Sequence, residues 1–586
     1  MGSFDGFRLE IMDYLIIAAY FITIWVIGAW AGRRRKDETT SEDYFLAGRK
    51  LPWFIVGASF IASNISTEHF IGMIGASFVY GICVSMTEWG NINSFTILIW
   101  FFIPFLLATK VFTTPEFLEK RFNKTLRQFF AVVTVVSNVV AFLAAVLYGG
   151  GLAMSKLFPL AWLPKEYELF FWVVVIGVGA GIWAIYGGLS SVVWMDFFML
   201  IIMISGGITV TILGLYMLSG DSHSLVEGWR VMIERNQATS GIWKEVVEQN
   251  AQYMAHTDSY NRLSVIQPIT HEVIPWPSLL VGFLSVGIWY NVINQFMIQR
   301  VLGAKNMYHA RMGIVFAGYI KILMPLIVVI PGLILFARYP EVMKLPWKEI
   351  RPAADAGYIQ MITTLIPVGL KGLFLAALFG AIQSTINGVL NSTSTVFTLD
   401  IYKEIIYKKA TDRHLVKVGI WATVVFLCLA IVLGAYIGKL GGSLFIYIQS
   451  LYAFFAPPFA AIFLLGILFR RINSQGATIA VFLGFALGIL MKLYVQYVPG
   501  HVKWMEPYLM QAMINWMVCV VLCVAVSRAT PAPTPEQVTD DLTINWKKIN
   551  IFSGLGNHWY TSVLLWWGLF AFLVVLLVFL FSGIFV

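Results

Sequence analysis

Charge is scarce in this chain. Asp, Glu, Lys and Arg make up 12% of its 586 residues, whereas 59% are hydrophobic. A soluble fold of this length needs a polar shell around its core, and this composition cannot supply one. The apolar residues also come in long runs, which places the chain in a lipid bilayer as a polytopic membrane protein. Cysteine is scarcer still. Cys83, Cys428, Cys519 and Cys523 sit in or beside apolar runs with no metal-ligand spacing, so they read as small packing residues and neither a disulfide framework nor a zinc site is expected. A net charge of +9 would suit nucleic acid, but the basic residues fall in short loops between apolar runs, where they set orientation instead. No nucleic-acid partner is expected. Nor is any nucleophile–base pair or metal cluster spaced for catalysis: His309 and His414 stand isolated in basic loops and read as solvated, so the chain is not expected to be an enzyme.

The runs that remain are 11–32, 53–80, 92–109, 125–155, 168–187, 190–218, 276–300, 308–337, 370–398, 413–438, 444–468, 475–495, 508–528 and 558–585, which reads as fourteen spans. The basic cluster Arg33-Arg34-Arg35-Lys36 follows the first run, so that run reads as a span and not as a cleaved leader. Held on the cytoplasmic side, the cluster sets both termini outside. Residues 1–52 are then an N-terminal extra span with its basic loop. Two groups of five spans occupy 53–218 and 276–468, separated by an outer loop at 219–275 whose Trp, Val and Ile predict short surface helices. Residues 469–586 carry three more spans, with a proline-rich cytoplasmic linker at 529–555. The long outer loops hold neither cysteine nor Asn-x-Ser/Thr, which points to a bacterial inner membrane.

Two of these spans are interrupted by polar residues. Ser63 to His69 breaks the first span of the first group, and Trp289 to Gln295 breaks the first span of the second. A five-span unit that repeats must do so in inverted orientation. Paired interruptions at matching positions are the sequence pointer to a midplane site in an inverted-repeat transporter. An ionisable residue at that depth costs about 2.5–3.5 kcal/mol on insertion scales, so Glu68 and His69 need water, partners or a ligand.

Four stretches carry a resemblance. Ala-Ser-Asn-Ile-Ser-Thr-Glu-His-Phe-Ile-Gly (62–72), Tyr-Gly-Gly-Leu-Ser-Ser-Val-Val-Trp-Met-Asp (186–196), Asn-Gln-Phe-Met-Ile-Gln-Arg-Val-Leu-Gly-Ala-Lys-Asn (294–306) and Asn-Ser-Thr-Ser-Thr-Val-Phe-Thr-Leu-Asp-Ile-Tyr-Lys (391–403) resemble the sodium/solute symporter family, in its sodium/glucose and sodium/galactose cotransporter branch. The resemblance implies an all-α, leucine-transporter-type five-plus-five inverted repeat. It also implies a co-transported sodium ion and a small solute, with a sugar as first expectation and an inositol, sialic acid, proline or a non-transporting sensor as alternatives.

Position by position, the resemblance places sodium on the carbonyls of Ala62, Ile65 and Ala381 and the hydroxyls of Ser384 and Thr385. A hard cation wants oxygen ligands, and carbonyls freed at a helix break together with facing hydroxyls provide them. Asp196 matches the acid of a second ion site found in part of the family. The matching hydroxyl positions hold Asn387 and Gly388 here, so one sodium per cycle is expected, with Asp196 a relay or a structural acid satisfied by Ser190 or Ser191. The resemblance places Asn64, His69, Glu88, Tyr290, Lys321 and Gln449 at solute-contacting positions, and their mixture of donors, acceptors and an aromatic face suits a sugar. Tyr290 matches an inner gate, and Met73 and Phe445 match outer gate positions. Asn291 stands where the family often has a second aromatic. Glu68 matches no ligand position.

Overall fold

In a bilayer the backbone has no water to bond, so runs of this length and composition satisfy their N–H and C=O groups by coiling into helices. The computed structural model describes residues 9–33, 40–256, 260–355, 367, 369–437, 444–545 and 553–584, with backbone alone at 33, 186, 187, 437 and 444–448. Among them thirteen helices are long and apolar enough to cross a membrane, and no strand is present beyond one isolated bridge. The difference from fourteen runs lies at the first break. Trp53–Asn64 is only 12 residues long, and the remainder of its span continues into the next as one apolar stretch, Glu68–Ala108, which turns at Gly81 with φ +80°. Gly188, with φ 52° inside the helical stretch Lys165–Leu218, likewise divides it into the spans Lys165–Ile185 and Gly188–Leu218; glycine alone reaches such a φ without cost. The final span starts at Val563 rather than at 558, because residues 559–561 form a separate 3₁₀ turn. Most of the basic cluster after the first span lies outside the described residues.

Burial ranks the spans. Met307–Arg338 and Leu370–Ile406 are almost wholly enclosed, whereas Ile11–Gly32, Ser474–Tyr497 and Val563–Leu580 turn most of their surface outward to lipid. The enclosed helices, with the two interrupted spans, form the centre of the molecule. The interrupted spans are also tied at one end, beside the described part of the loop that follows the first span. Leu51 N–H donates to Gly303 O (3.0 Å), Lys305 N–H returns a bond to Leu51 O (3.0 Å), and the Arg49 guanidinium donates to Leu302 O, Lys110 O and Val111 O. The described part of 529–555 packs across the same side, with Gln537 donating to Phe122 O (2.6 Å) and Ile544 N–H to Ile467 O (2.8 Å).

On the opposite side, the 219–275 loop carries two amphipathic helices, Leu225–Gln237 and Gly241–Met254; the Ser224 hydroxyl caps the first by accepting from Glu227 N–H. Glu272 accepts from Tyr80 Oη (2.8 Å) and from Arg351 (2.5 Å), which joins this loop to the segment that carries Arg351. Beside it His271 is fully buried, and its Nδ1 accepts the N–H groups of Val273 (3.1 Å) and Ile274 (3.0 Å). Burial pushes its pKa down to about 3. The folded loop therefore holds His271 neutral where the unfolded chain, titrating near pH 6.5, binds a proton. Stability is fully present above about pH 6.5 and is lost as pH falls towards 3, at up to about 1.4 kcal/mol per pH unit. Thermal unfolding of the purified protein at pH 7 and pH 5 is expected to show this loss, and a His271→Asn variant is expected to flatten it.

Candidate functional site

The first break is set by local chemistry. Trp53–Asn64 ends because Ile65 turns to extended backbone (φ −75°, ψ 119°), and the chain resumes as a π-helix over Glu68–Met73. The Ser66 N–H, which would otherwise return to the Ala62 carbonyl, donates to His69 Nδ1 (3.3 Å). The second repeat breaks in the same manner. The π-helix Ile288–Ile293 stops at Asn294 (φ −66°, ψ 122°), whose side chain then caps Gln295–Leu302 by accepting from Phe296 N–H (3.1 Å). Both π-segments lie where the polar interruptions are, as π-bulges at functional sites commonly do.

Leu370–Val396 faces the first break. Ala381, Ser384 and Thr385 share one face of it, being three and four residues apart. Thr385 Oγ1 donates to the carbonyls of Ser63 (3.2 Å) and Ile65 (3.0 Å), and Ser384 Oγ donates to Asp196 Oδ1 (2.6 Å). Each hydroxyl proton is thus spent on an acceptor, and the lone pairs remain for a cation. The donor set fits a hard monovalent ion: carbonyl and hydroxyl oxygens, all buried, with one carboxylate behind them.

Asp196 is satisfied differently from the expectation. Ser191 donates to Gly28 O (2.9 Å), and no bond joins Ser190 or Ser191 to the carboxylate; its partners are Ser59 (2.5 Å) and Ser63 (3.1 Å) on Oδ2, together with Ser384. The reason is helical spacing: the two serines precede Asp196 by six and five residues, whereas same-face neighbours on a helix are three or four apart, and the broken span supplies Ser59 and Ser63 instead. The counter-charge is Arg300, wholly buried on the second broken span. Its Nε donates to Ser59 Oγ (2.9 Å), Nη2 to Ser63 Oγ (2.5 Å), and Nη2 stands 3.8 Å from Asp196 Oδ2. A Cβ on Gly388 would collide with that guanidinium. Asn387 is buried, and among the described residues neither of its amide atoms has a partner.

A cavity of about 70 Å³ lies at the other side of the break. Asn64, His69, Glu88, Tyr290, Lys321 and Gln449 all line it, as does Met73. Glu88 is buried and not at the outer surface: Lys321 Nζ donates to its Oε2 (2.6 Å) and to Asn64 Oδ1, and His69 Nε2 lies 3.4 Å from its Oε1. Tyr290 closes one end among Tyr452, Phe142 and Phe296, with ring centroids 5.8, 6.3 and 6.4 Å away. Phe445 belongs to the helix Leu444–Leu468, but its side chain is outside the described residues. Glu68 has its partner in Gln449, whose Nε2 donates to Oε1 (3.0 Å) across the cavity wall. Asn291 is spent on structure, donating to Asn91 Oδ1 (2.6 Å) and Ser94 Oγ (3.0 Å). His309 and His414 are not simply solvated: His309 Nδ1 accepts Trp53 N–H (3.3 Å), and His414 Nε2 pairs with Tyr402 Oη (2.9 Å).

Sequence reasoning missed Ser59, Ser63 and Arg300. An arginine amid the apolar residues of Phe-Met-Ile-Gln-Arg-Val-Leu is itself a signal, because such a cation needs a buried partner.

A model of the sodium:solute symporter family matches residues 44–484. The sodium/glucose cotransporter of Vibrio parahaemolyticus is 33% identical over 554 residues, covering 93% of this chain and 96% of the relative. The mouse sodium/myo-inositol cotransporter is 31% identical over 562 residues, covering 92% of this chain and 76% of the relative. Among solved structures, a substrate-bound, outward-open Na⁺-coupled sialic acid symporter superposes with a TM-score of 0.69 at 20% identity over 90% of this chain and 99% of its own, which shows a common fold. That fold is the leucine-transporter-type arrangement, and sodium is the coupling ion. The chain is a member of the sodium:solute symporter family.

Proposed function

We propose that this symporter imports a monosaccharide or a closely related cyclic polyol with one sodium ion, by alternating access. The observation that carries the reading is the midplane cavity. Asn64, His69, Glu88, Lys321 and Gln449 offer donors and acceptors from several directions, and the Tyr290 ring offers a face for C–H surface. The relatives named for glucose and for myo-inositol take cyclic polyhydroxyl compounds, which supports the same class here.

In this reading sodium binds between the Ala62, Ile65 and Ala381 carbonyls and the Ser384 and Thr385 hydroxyls. It fixes the two halves of the broken span so that Asn64 and His69 are presented outward. Solute then loads, Met73 and Phe445 close over it, and the bundle rocks inward, which requires the Leu51–Gly303–Lys305 ties to part. Sodium leaves past Asp196 and the solute follows past Tyr290. With Arg300 set as the fixed cation beside Asp196, and Asn387 and Gly388 where further hydroxyls would be needed, the site supports a single ion. One charge moving through 100 mV supplies roughly 2.3 kcal/mol, enough for a gradient of about 50-fold.

Sodium-dependent uptake into proteoliposomes across sugars, inositols and amino acids tests the solute. Accumulation of a sugar or inositol is expected; uptake of an amino acid alone overturns the reading, and binding without accumulation makes the chain a sensor. For the ion, Ser384→Ala and Thr385→Ala are each expected to raise the sodium concentration for half-maximal uptake at least tenfold. Unchanged sodium dependence in both overturns the site.

A further inference from the structure

The helix Met307–Val328 and the last span, Val563–Leu580, meet closely at one level and part beyond it. A Cβ on Gly318 would lie 2.7 Å from the Phe570 ring, so glycine lets the helices touch there, and Tyr319 Oη fastens them by donating to Trp566 O (2.8 Å). Towards the Leu51–Gly303 tie the last span has not yet begun, and the chain approaches it through the turn at 559–561. That approach is pinned at its far end, where Arg311 donates to Ser553 O (2.7 Å). Between the two fixed ends lies a groove of about 520 Å³ whose lining includes Trp53, Met312, Val315, Phe316 and Tyr560.

Its dimensions select the occupant. From Tyr308 to Tyr319, which both line it, the helix rises about 16 Å, close to half of the roughly 30 Å hydrocarbon core. A volume of 520 Å³ spread over that length makes a slot about 6 Å across, whereas a helix of a partner or of a second copy is about 10 Å across. One hydrocarbon chain of one leaflet fits, and a helix does not. At the Tyr308 end stands Trp53 as well, and rings with polar tips of this kind sit where acyl chains give way to head groups.

Charge selects the head. The segments that bound the groove, 303–319 and 553–566, contain Lys305, His309, Arg311 and His558 and no Asp or Glu. Lys305 is exposed; its backbone N–H joins Leu51 O, and among the described residues its side chain meets no carboxylate. His309 Nδ1 accepts from Trp53 N–H, which leaves Nε2–H as a donor, and the Tyr308 hydroxyl has no partner among the described residues. A cation with two neutral donors beside it and no acid nearby suits a phosphate. We infer that the groove holds one acyl chain of an anionic glycerophospholipid from the leaflet on this side, with its phosphate against Lys305, Tyr308 and His309.

The test is native mass spectrometry of the purified full chain, titrated with phosphatidylglycerol or with phosphatidylcholine of the same acyl chains. The native protein is expected to hold one lipid more tightly than the rest, and to prefer phosphatidylglycerol about fivefold, the usual weight of one lysine against an anionic head. Lys305→Gln keeps the backbone bond to Leu51 and is expected to abolish that preference. Met312→Trp fills the groove from its wall and is expected to weaken the tight site at least tenfold for both lipids. Tyr308→Phe, a change of one oxygen, is expected to weaken phosphatidylglycerol at least threefold and stands in if the tryptophan variant does not fold. Equal affinity for the two heads in the native protein, a preference that survives Lys305→Gln, or a tight lipid kept in Met312→Trp or undiminished in Tyr308→Phe overturns the site. A dimer that Met312→Trp breaks apart would assign the groove to a second copy and overturns it as well.

Discussion

Lys321→Ala is expected to reduce solute uptake in proteoliposomes to background and to destabilise the protein by about 3–5 kcal/mol, the usual cost of removing one partner from a buried ion pair. The pair is close and enclosed: Nζ stands 2.6 Å from Glu88 Oε2, with both side chains at most 3% exposed. Two effects are combined in that result, and a second substitution separates them. Lys321→Ala with Glu88→Ala removes the orphaned carboxylate along with the cation, so most of the stability should return. Uptake should not return, because the solute has lost two polar partners and Asn64 has lost the ammonium that orients it. Thermal unfolding reads the first quantity and uptake the second. If uptake recovered with stability, Lys321 would be a structural counter-ion for Glu88 and would have no part in holding solute.

The fold was readable because the bilayer leaves the backbone few options. Long apolar runs had to become helices, and two polar interruptions had to lie where protein or a cavity satisfies them. The breaks were legible in place but not in form. Nothing in Ser63 to His69 says that Ile65 goes extended, or that a π-helix follows at Glu68. Lys321 and His69 were legible through polarity at improbable depth, whereas Asn64, Glu88, Tyr290 and Gln449 were placed by the resemblance. What stayed hidden were pairings between residues hundreds of positions apart. Glu68 meets Gln449 across 381 residues of sequence, and Asp196 takes Ser59, Ser63 and Ser384 in preference to Ser190 and Ser191 on its own helix. Such choices depend on how the spans cross, which no local pattern records.

Arg300→Met is the second substitution with a large expected effect, and it concerns those crossings. The guanidinium lies on the second broken span and holds Ser59 and Ser63 of the first, beside Asp196 on a third. Removing it leaves a buried carboxylate with three hydroxyl donors but no counter-charge, at a cost of about 3–5 kcal/mol. Lysine should not rescue it, since a single ammonium cannot span both serines as the planar fork does. Pairing Arg300→Met with Asp196→Asn removes both charges and is expected to recover most of the lost stability. Sodium supplies a second readout. Ser384 donates to Asp196 and belongs to the proposed sodium site, so an unneutralised Asp196 should draw sodium more tightly in the Arg300→Met protein that survives. Added sodium should then raise the melting temperature of this variant more than that of the native protein. An equal sodium response in the two would mean that Arg300 braces the broken spans without setting the charge that the ion meets.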